Sequence, residues 1–291
     1  MADTGCVLES KVELALACLA AGATSLCPAT LFLPWASERL PPELCAAFAG
    51  GALWVLKRDA LSNGEGVFFV RGAAEAEAVV AAQRPGSYMT LLGDRDVSDF
   101  VLQRHVDAPL LLVRAHMRVW RGRKARRCDV AQLTWLCDDA QEARKFHLRA
   151  YVAAWPRTRS GGAPTVALWD GVEVRLAAHP YSGDVTDKLQ ALTNFAPNKA
   201  TAGAQAFAIK RMAAEFEAPL ADACPAWRSR LEALCANVAA LAAGELLPDD
   251  SDGTVAAADG APWLGFALLA LDVMLDADGR LWLLEVNRVR S

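Results

Sequence analysis

Apolar positions recur at helical spacing from Val12 to Ala21, and the pattern then breaks into short apolar runs that read as strands. Leu31 to Leu33 and Leu53 to Lys57 are two such runs, separated by a proline-initiated helix from Pro41 to Phe48. A second strand pair is predicted around Asn63-Gly64-Glu65-Gly66, with Val67 to Val70 returning beside Leu53 to Lys57. Ala74 to Gln83 is expected to be helical, and Phe100 to Val106 and Leu110 to Val113 are short strands.

Strict alternation begins at Lys145. Phe146, Leu148, Ala150 and Val152 fall on one face of a strand, and Lys145, His147 and Arg149 on the other. A hairpin follows, Val166 to Trp169 and Val172 to Leu176 about Asp170-Gly171, with Glu173 and Arg175 opposite Val172, Val174 and Leu176. Helices are predicted over Gln205 to Glu217 and Trp227 to Ala243, and Pro248 to Gly260 reads as an exposed loop. Helices and strands thus alternate throughout, which predicts an α/β fold.

Composition narrows the class. With 54% hydrophobic and 22% charged residues, the chain has enough apolar surface to offset the entropy of ordering, so disordered and fibrous classes are excluded. Thirty basic against 34 acidic residues, a net charge of −4, argue against a general nucleic-acid binder. The eight cysteines include no Cys-x-x-Cys pair, so a structural zinc site is not expected and reduced thiols in an intracellular protein are. The charge-free run Leu14 to Ala36 contains Gly22, Pro28 and Pro34 and reads as core rather than a membrane span, and the acidic N-terminal flank speaks against a signal peptide.

Three segments carry candidate chemistry. The glycine loop at 63–66 joins strand to strand, so it is neither a Walker nor a Rossmann loop, yet glycine lets backbone amides approach phosphate closely. Arg114, Arg118, Arg121, Arg123, Lys124, Arg126 and Arg127 form an acid-free basic stretch, either a solvated loop or a platform for an acidic partner. In the apolar C-terminal hairpin, Asp272 interrupts one strand, and Glu285 and Asn287 lie on the next. A loop of two or four residues pairs Leu275 with Arg280 and Asp272 with Leu283, leaving Glu285 a diagonal neighbour of Asp272, roughly 7 Å away. Two carboxylates and an amide sharing one face suit Mg²⁺, which takes few protein carboxylates and leaves its other positions to water and phosphate. With Lys57 at the root of the glycine loop and Lys145 and Arg149 on one strand face, the set reads as a phosphate-handling site.

From about Leu26 onward the chain resembles the tubulin-tyrosine ligase-like family of the ATP-grasp superfamily, on a set of motifs occurring in order. They are LCPATLFLP, WVLK with NGEGV, VLQRHVDAPLLL, KFHLRAYV, VEVRLAAHPY, DKLQALTNFAPNK and FALLALDVMLDADGRLWLLEVNRVRS. The resemblance implies an ATP-grasp fold of two α+β lobes gripping ATP, with a short N-terminal lobe and truncated C-terminal helices. The implied organisation is a partial N-terminal lobe (1–50), a central lobe (51–110), a basic insertion (111–144) and a C-terminal lobe (145–291). It implies that Lys57 and Lys145 contact ATP phosphates under a lid formed by Gly64 and Gly66. Gln103, Arg104, His105 and Val106 would border the adenine, and Thr193 and Asn194 would touch the nucleotide. Arg149 would stabilise the transferring phosphoryl group, and Arg175 would hold the carboxylate of the incoming amino acid. Asp272, Glu285 and Asn287 would bind Mg²⁺, with Glu285 at the chemistry beside Arg149 and Arg175. His147 stands where the family motif has an aspartate that contacts nucleotide, and Arg290 where it has a proline.

The implied activity is ATP- and Mg²⁺-dependent ligation of an amino acid (tyrosine, glutamate or glycine) to a protein tail through an acyl phosphate. The implied partners are the free amino acid and tubulin or another acidic-tailed protein, in the cytoplasm, at the cytoskeleton or cilium, with neither a membrane nor a nucleic acid. Two alternatives remain open at this point: a non-catalytic relative that binds acidic tails, and an ATP-grasp ligase acting on a small-molecule amine.

Overall fold

The computed structural model describes residues 7–34, 39–59, 61, 64–83, 99–112, 143–155, 165–194, 198, 210–242 and 267–289. The basic stretch at 114–127, the 248–260 loop, residues 205–209 and Arg290 lie outside the described residues.

Two antiparallel sheets carry the fold. Helix α1 (Lys11–Ala20) is followed by β1 (Thr30–Leu33), α2 (Pro42–Ala47), β2 (Trp54–Arg58), β3 (Val67–Val70), α3 (Ala73–Ala82) and β4 (Phe100–Arg104). The four strands form one sheet in the order β1-β4-β2-β3. Its two faces follow from the period of two. Trp54, Leu56, Phe100 and Leu102 turn inward onto Leu44, Phe48, Ala76 and Val80 of the helices, whereas the intervening Val55, Lys57 and Gln103 line a cleft. The N-terminus of α1 is tied to the end of β2 because Asp59 accepts hydrogen bonds from the Lys11 and Val12 amides and from the Ser10 hydroxyl. A carboxylate is favoured there by the helix dipole.

The second sheet has seven strands: β5 (Leu111–Leu112), β6 (Arg144–Trp155), β7 (Thr165–Leu168), β8 (Glu173–Leu176), β9 (Lys210–Met212), β10 (Ala267–Leu275) and β11 (Leu281–Arg288). They run in the order β11-β10-β6-β8-β9, with β5 and β7 also pairing to β6. Phe146, Leu148, Ala150 and Val152 of β6 are buried, packed in one core with Phe216, Trp227, Leu231 and Leu271, as the alternation predicted. Helices α4 (Lys188–Ala191), α5 (Glu217–Ala223) and α6 (Trp227–Leu241) complete the α-helices of the described residues. Among the described residues no helix is long and apolar enough to cross a membrane.

Two expectations are corrected. The helix expected over Gln205 to Glu217 is, from Lys210 on, strand β9 followed by a 3-10 turn over Ala213–Phe216. Pairing with β8, reinforced by a 2.7 Å ion pair between Lys210 Nζ and Glu173, overrides the local helical pattern. The β10–β11 register also differs. Asp276 accepts from the amides of Asp278 and Arg280, and Gly279 adopts a φ of +73°, so the turn closes on Asp276 and Arg280 with three residues between them. Leu275 therefore faces Leu281, not Arg280. A bulge between Asp272 and Val273 then leaves Leu284 as an extra residue and sets Asp272 directly opposite Glu285 instead of Leu283. Without that bulge Glu285 would fall on the core face opposite Leu271.

Candidate functional site

The cleft between the sheets has two electrically distinct ends. At one, Lys57 reaches across from β2 and donates to Gln103 Oε1 at 2.7 Å and to the carbonyl of the bulged Leu284 at 3.4 Å. Gln103 in turn donates to Thr30 Oγ1 at 3.2 Å, which fixes the amide so that its oxygen faces the lysine. Lys145, on the cleft face of β6 and only 4% exposed, lies 3.4 Å from His105 Nε2 and over the Tyr181 ring. Among the described residues no carboxylate forms an ion pair with either lysine. Burial pushes both ammonium groups down to about 8, and Lys57 adds to the effect on Lys145. Burial and the neighbouring Lys145 likewise push His105 down to about 4, so its imidazole is neutral at pH 7. The nearby Glu285 and Asp272 only partly offset the effect of burial on Lys57, so two cations without an ion-paired carboxylate among the described residues form a site that attracts an anion.

The other end is acidic. Asp272 is 2% exposed and paired head-on with Arg149, Nε to Oδ1 and Nη2 to Oδ2, each at 2.6 Å. His147 Nε2 lies 3.3 Å from Oδ1, outside hydrogen-bond geometry, while its Nδ1 lies 2.6 Å from Thr193 Oγ1. Burial alone would raise the Asp272 carboxyl, but His147 and Arg149 outweigh it and hold the group well below the usual carboxylate range. Glu285 is the reverse case. Burial and the adjacent Asp272 raise it, only partly opposed by Lys57 and Lys11, and among the described residues no cation forms an ion pair with it. Asn287 Nδ2 lies 3.1 Å from Glu285 Oε1 and 3.4 Å from Asp272 Oδ2, so all three hairpin side chains meet.

Of the other residues singled out from the sequence, Gly64, Arg104, His105, Val106, Thr193 and Asn194 all line the cleft. Gly64, at φ +80°, sits so close to the far wall that a Cβ there would lie 3.3 Å from Asn194 Oδ1. Gly66 does not line it. At φ +63° it shapes the turn, where a Cβ would lie 2.8 Å from Leu61 Cδ1. The side chain of Arg104 points outward to Asp107 at 3.1 Å. Arg175 stands beside His147 in the register, on the cleft face of the sheet, but is held by Glu173 at 3.0 Å and lies outside the cleft itself. Sequence reasoning missed Lys11, Phe69 and Met274, which also line the cleft. Met274 was recoverable, since it lies two residues from Asp272 on one strand and so shares its face. Lys11 carried no such signal, because its place depends on Asp59 and Leu61, whose carbonyls its ammonium meets at 3.0 and 2.8 Å.

The donor chemistry of the hairpin fits a hard divalent cation. Two apposed carboxylates and one amide suit Mg²⁺ with its remaining positions left to water and phosphate. Among the described residues no group of three or more His, Cys, Asp and Glu is arranged to hold a metal, so a dedicated all-protein cage is not present there.

No curated protein matches the chain. The model of the tubulin-tyrosine ligase family matches residues 35–218, which spans the lysines, the glycine loop and β6 through β9, and stops before the carboxylate hairpin. The mixed α/β architecture with antiparallel sheets is consistent with that family's ATP-grasp-like fold. On this match over more than half its length, the chain belongs to the tubulin-tyrosine ligase family.

Proposed function

We propose that this chain is an ATP-dependent ligase that joins an amino acid to a protein tail, tubulin's or another acidic one, through an acyl phosphate, with the two sheets serving as the lobes of an ATP-grasp. One observation carries the reading: Lys57 and the buried Lys145, neither ion-paired to a carboxylate among the described residues, share one cleft with a pair of apposed carboxylates.

In this reading Lys57 and Lys145 neutralise the phosphates, and the loop at Gly64 covers them. The β4 end, Gln103 to Val106, borders the base together with Phe69 and Met274. Thr193 and Asn194 contact the nucleotide from the opposite wall. Asp272, Glu285 and Asn287 would hold Mg²⁺, which offsets charge on phosphate oxygens when bound. Arg149 stabilises the phosphoryl group in transfer, and Arg175 holds the amino-acid carboxylate. Preorganised cations of this kind typically contribute on the order of 10² to 10³ in rate.

The first test is the thermal shift of the purified chain with Mg-ATP, wild type against Glu285→Gln. Nucleotide at about 100 times its dissociation constant adds roughly 2.7 kcal/mol to wild type. The variant removes a carboxylate charge at nearly constant volume and shifts much less. Labelled amino acid should then appear in protein, not in a soluble product. A cooperative melt that ignores Mg-ATP in both forms overturns the reading. A second reading, a non-catalytic binder of acidic tails, is favoured by the closure of Asp272 onto Arg149 and His147. It requires ATP-independent, salt-sensitive binding to polyglutamate peptides.

A further inference from the structure

Both oxygens of Asp272 are already engaged. Arg149 holds Oδ1 and Oδ2 together at 2.6 Å, and His147 crowds Oδ1 from 3.3 Å. The orientation of His147 follows from its neighbours. Its Nδ1 lies 2.6 Å from the Thr193 hydroxyl, which turns Nε2 toward Oδ1 without bringing it into hydrogen-bond geometry. Asp272 is thus held through both oxygens by the Arg149 guanidinium and crowded at Oδ1 by the His147 ring. Glu285, directly opposite, receives the Asn287 amide at 3.1 Å, and no cation is ion-paired with it among the described residues.

We propose that Arg149 and His147 set the order in which the site fills: Arg149 is the resident counter-cation of Asp272, free divalent metal is refused, and metal enters only together with nucleotide. The inference rests on the nucleotide reading above. A carboxylate this deeply buried always needs a cation, because an unpaired buried charge is strongly disfavoured. A free metal ion would have to displace Arg149 and leave its guanidinium unpaired in turn. A metal arriving with a polyphosphate brings its own acceptor oxygens, so Arg149 exchanges the carboxylate for a phosphoryl group and no charge is stranded. The same exchange makes Arg149 available to the reacting group only once the site is loaded. His147 adds to the refusal, because its ring occupies the space 3.3 Å from Oδ1.

Mn²⁺ binding to the full chain, read by electron paramagnetic resonance, tests this without any activity assay. Wild type should bind free Mn²⁺ weakly and bind it at least about tenfold tighter with a non-hydrolysable ATP analogue. Arg149→Ala should bind free Mn²⁺ about tenfold tighter than wild type, and Mn²⁺ alone should raise its melting temperature. Arg149→Gln serves if the alanine variant does not fold, and His147→Asp should shift affinity the same way. The inference is overturned if wild type binds Mn²⁺ equally with and without the analogue, or if the Arg149 variants bind it no tighter. If wild type binds no analogue at all, the nucleotide reading falls, while the Mn²⁺ affinities of the Arg149 variants still decide whether Arg149 guards Asp272.

Discussion

The two ends of the cleft handle buried charge in opposite ways. At the lysine end, Lys57 and Lys145 are held by an amide oxygen, a backbone carbonyl and a neutral imidazole, with no carboxylate ion-paired to either among the described residues and only the field of Glu285 and Asp272 acting on Lys57. At the carboxylate end, Asp272 has a bidentate guanidinium on both oxygens and a histidine ring 3.3 Å from Oδ1. The first end is under-compensated and the second partly closed. A ligand that brings negative charge to the lysines and relieves Arg149 would correct both at once, and a metal-bound polyphosphate has that composition.

The largest effect is expected at Lys145. Holding its ammonium at about 8 against an ordinary value near 10.5 corresponds to about 3 kcal/mol of destabilisation at neutral pH. Lys145→Met keeps the length and removes the charge, so the apo protein should melt at a higher temperature. Affinity for Mg-ATP should fall on the order of 10²-fold, as expected when one partner of a buried charge pair is lost. Gain of stability with loss of binding separates a ligand-directed lysine from a structural one. A variant that loses stability and keeps its affinity would place Lys145 in the scaffold.

Acidity offers a smaller, graded version of the same test. Both lysines have folded values of about 8, below their unfolded values, so between pH 8 and about 10.5 the unfolded chain binds more protons than the folded one. Their destabilising contribution is complete below pH 8 and relieved as pH rises through that window. Nucleotide affinity should run the other way, falling by about tenfold per pH unit above 8 for each proton whose loss is linked to binding. Melts and titrations across pH 7 to 10 check both slopes. Parallel slopes would mean that the anion binds elsewhere.

The lysine end was more legible in the sequence than the carboxylate end. Period-two alternation in β6 depends only on which residues pack inward, and Phe146, Leu148 and Ala150 left Lys145, His147 and Arg149 no other face. The hairpin brings the three expected side chains together, but by a different route from the one expected. Turn length and a single bulge each move the register by one residue, and their shifts combine to return Glu285 to the face of Asp272. No alternation pattern encodes that pair of shifts. Strand β9 was hidden for a related reason, since three residues from Lys210 to Met212 owe their conformation to the β8 edge. Lys11 was hidden because its position comes from a contact to the end of a strand nearly fifty residues away. The closure of Arg149 onto Asp272 was equally unforeseen: both residues were assigned to ligands, and their pairing with each other shows only in the fold.

The smallest effects separate Gly64 and Gly66, the two glycines between β2 and β3. Both have positive φ, where any residue with a Cβ is strained by about 1–2 kcal/mol. At Gly66 the added methyl also meets Leu61 and the Arg58 side chain, neighbours within the same hairpin, so Gly66→Ala should lower the melting temperature with or without nucleotide. At Gly64 the methyl instead approaches Asn194 and Leu192 across the cleft, at 3.3 and 3.4 Å. That contact exists only while the loop lies against the opposite wall. Gly64→Ala should therefore add a few-fold rise in the dissociation constant for Mg-ATP beyond its effect on the apo melt, whereas Gly66→Ala should show the stability loss alone. Equal effects on affinity would mean that the loop does not close over the lysine end, and that the lysines meet their anion from an open cleft.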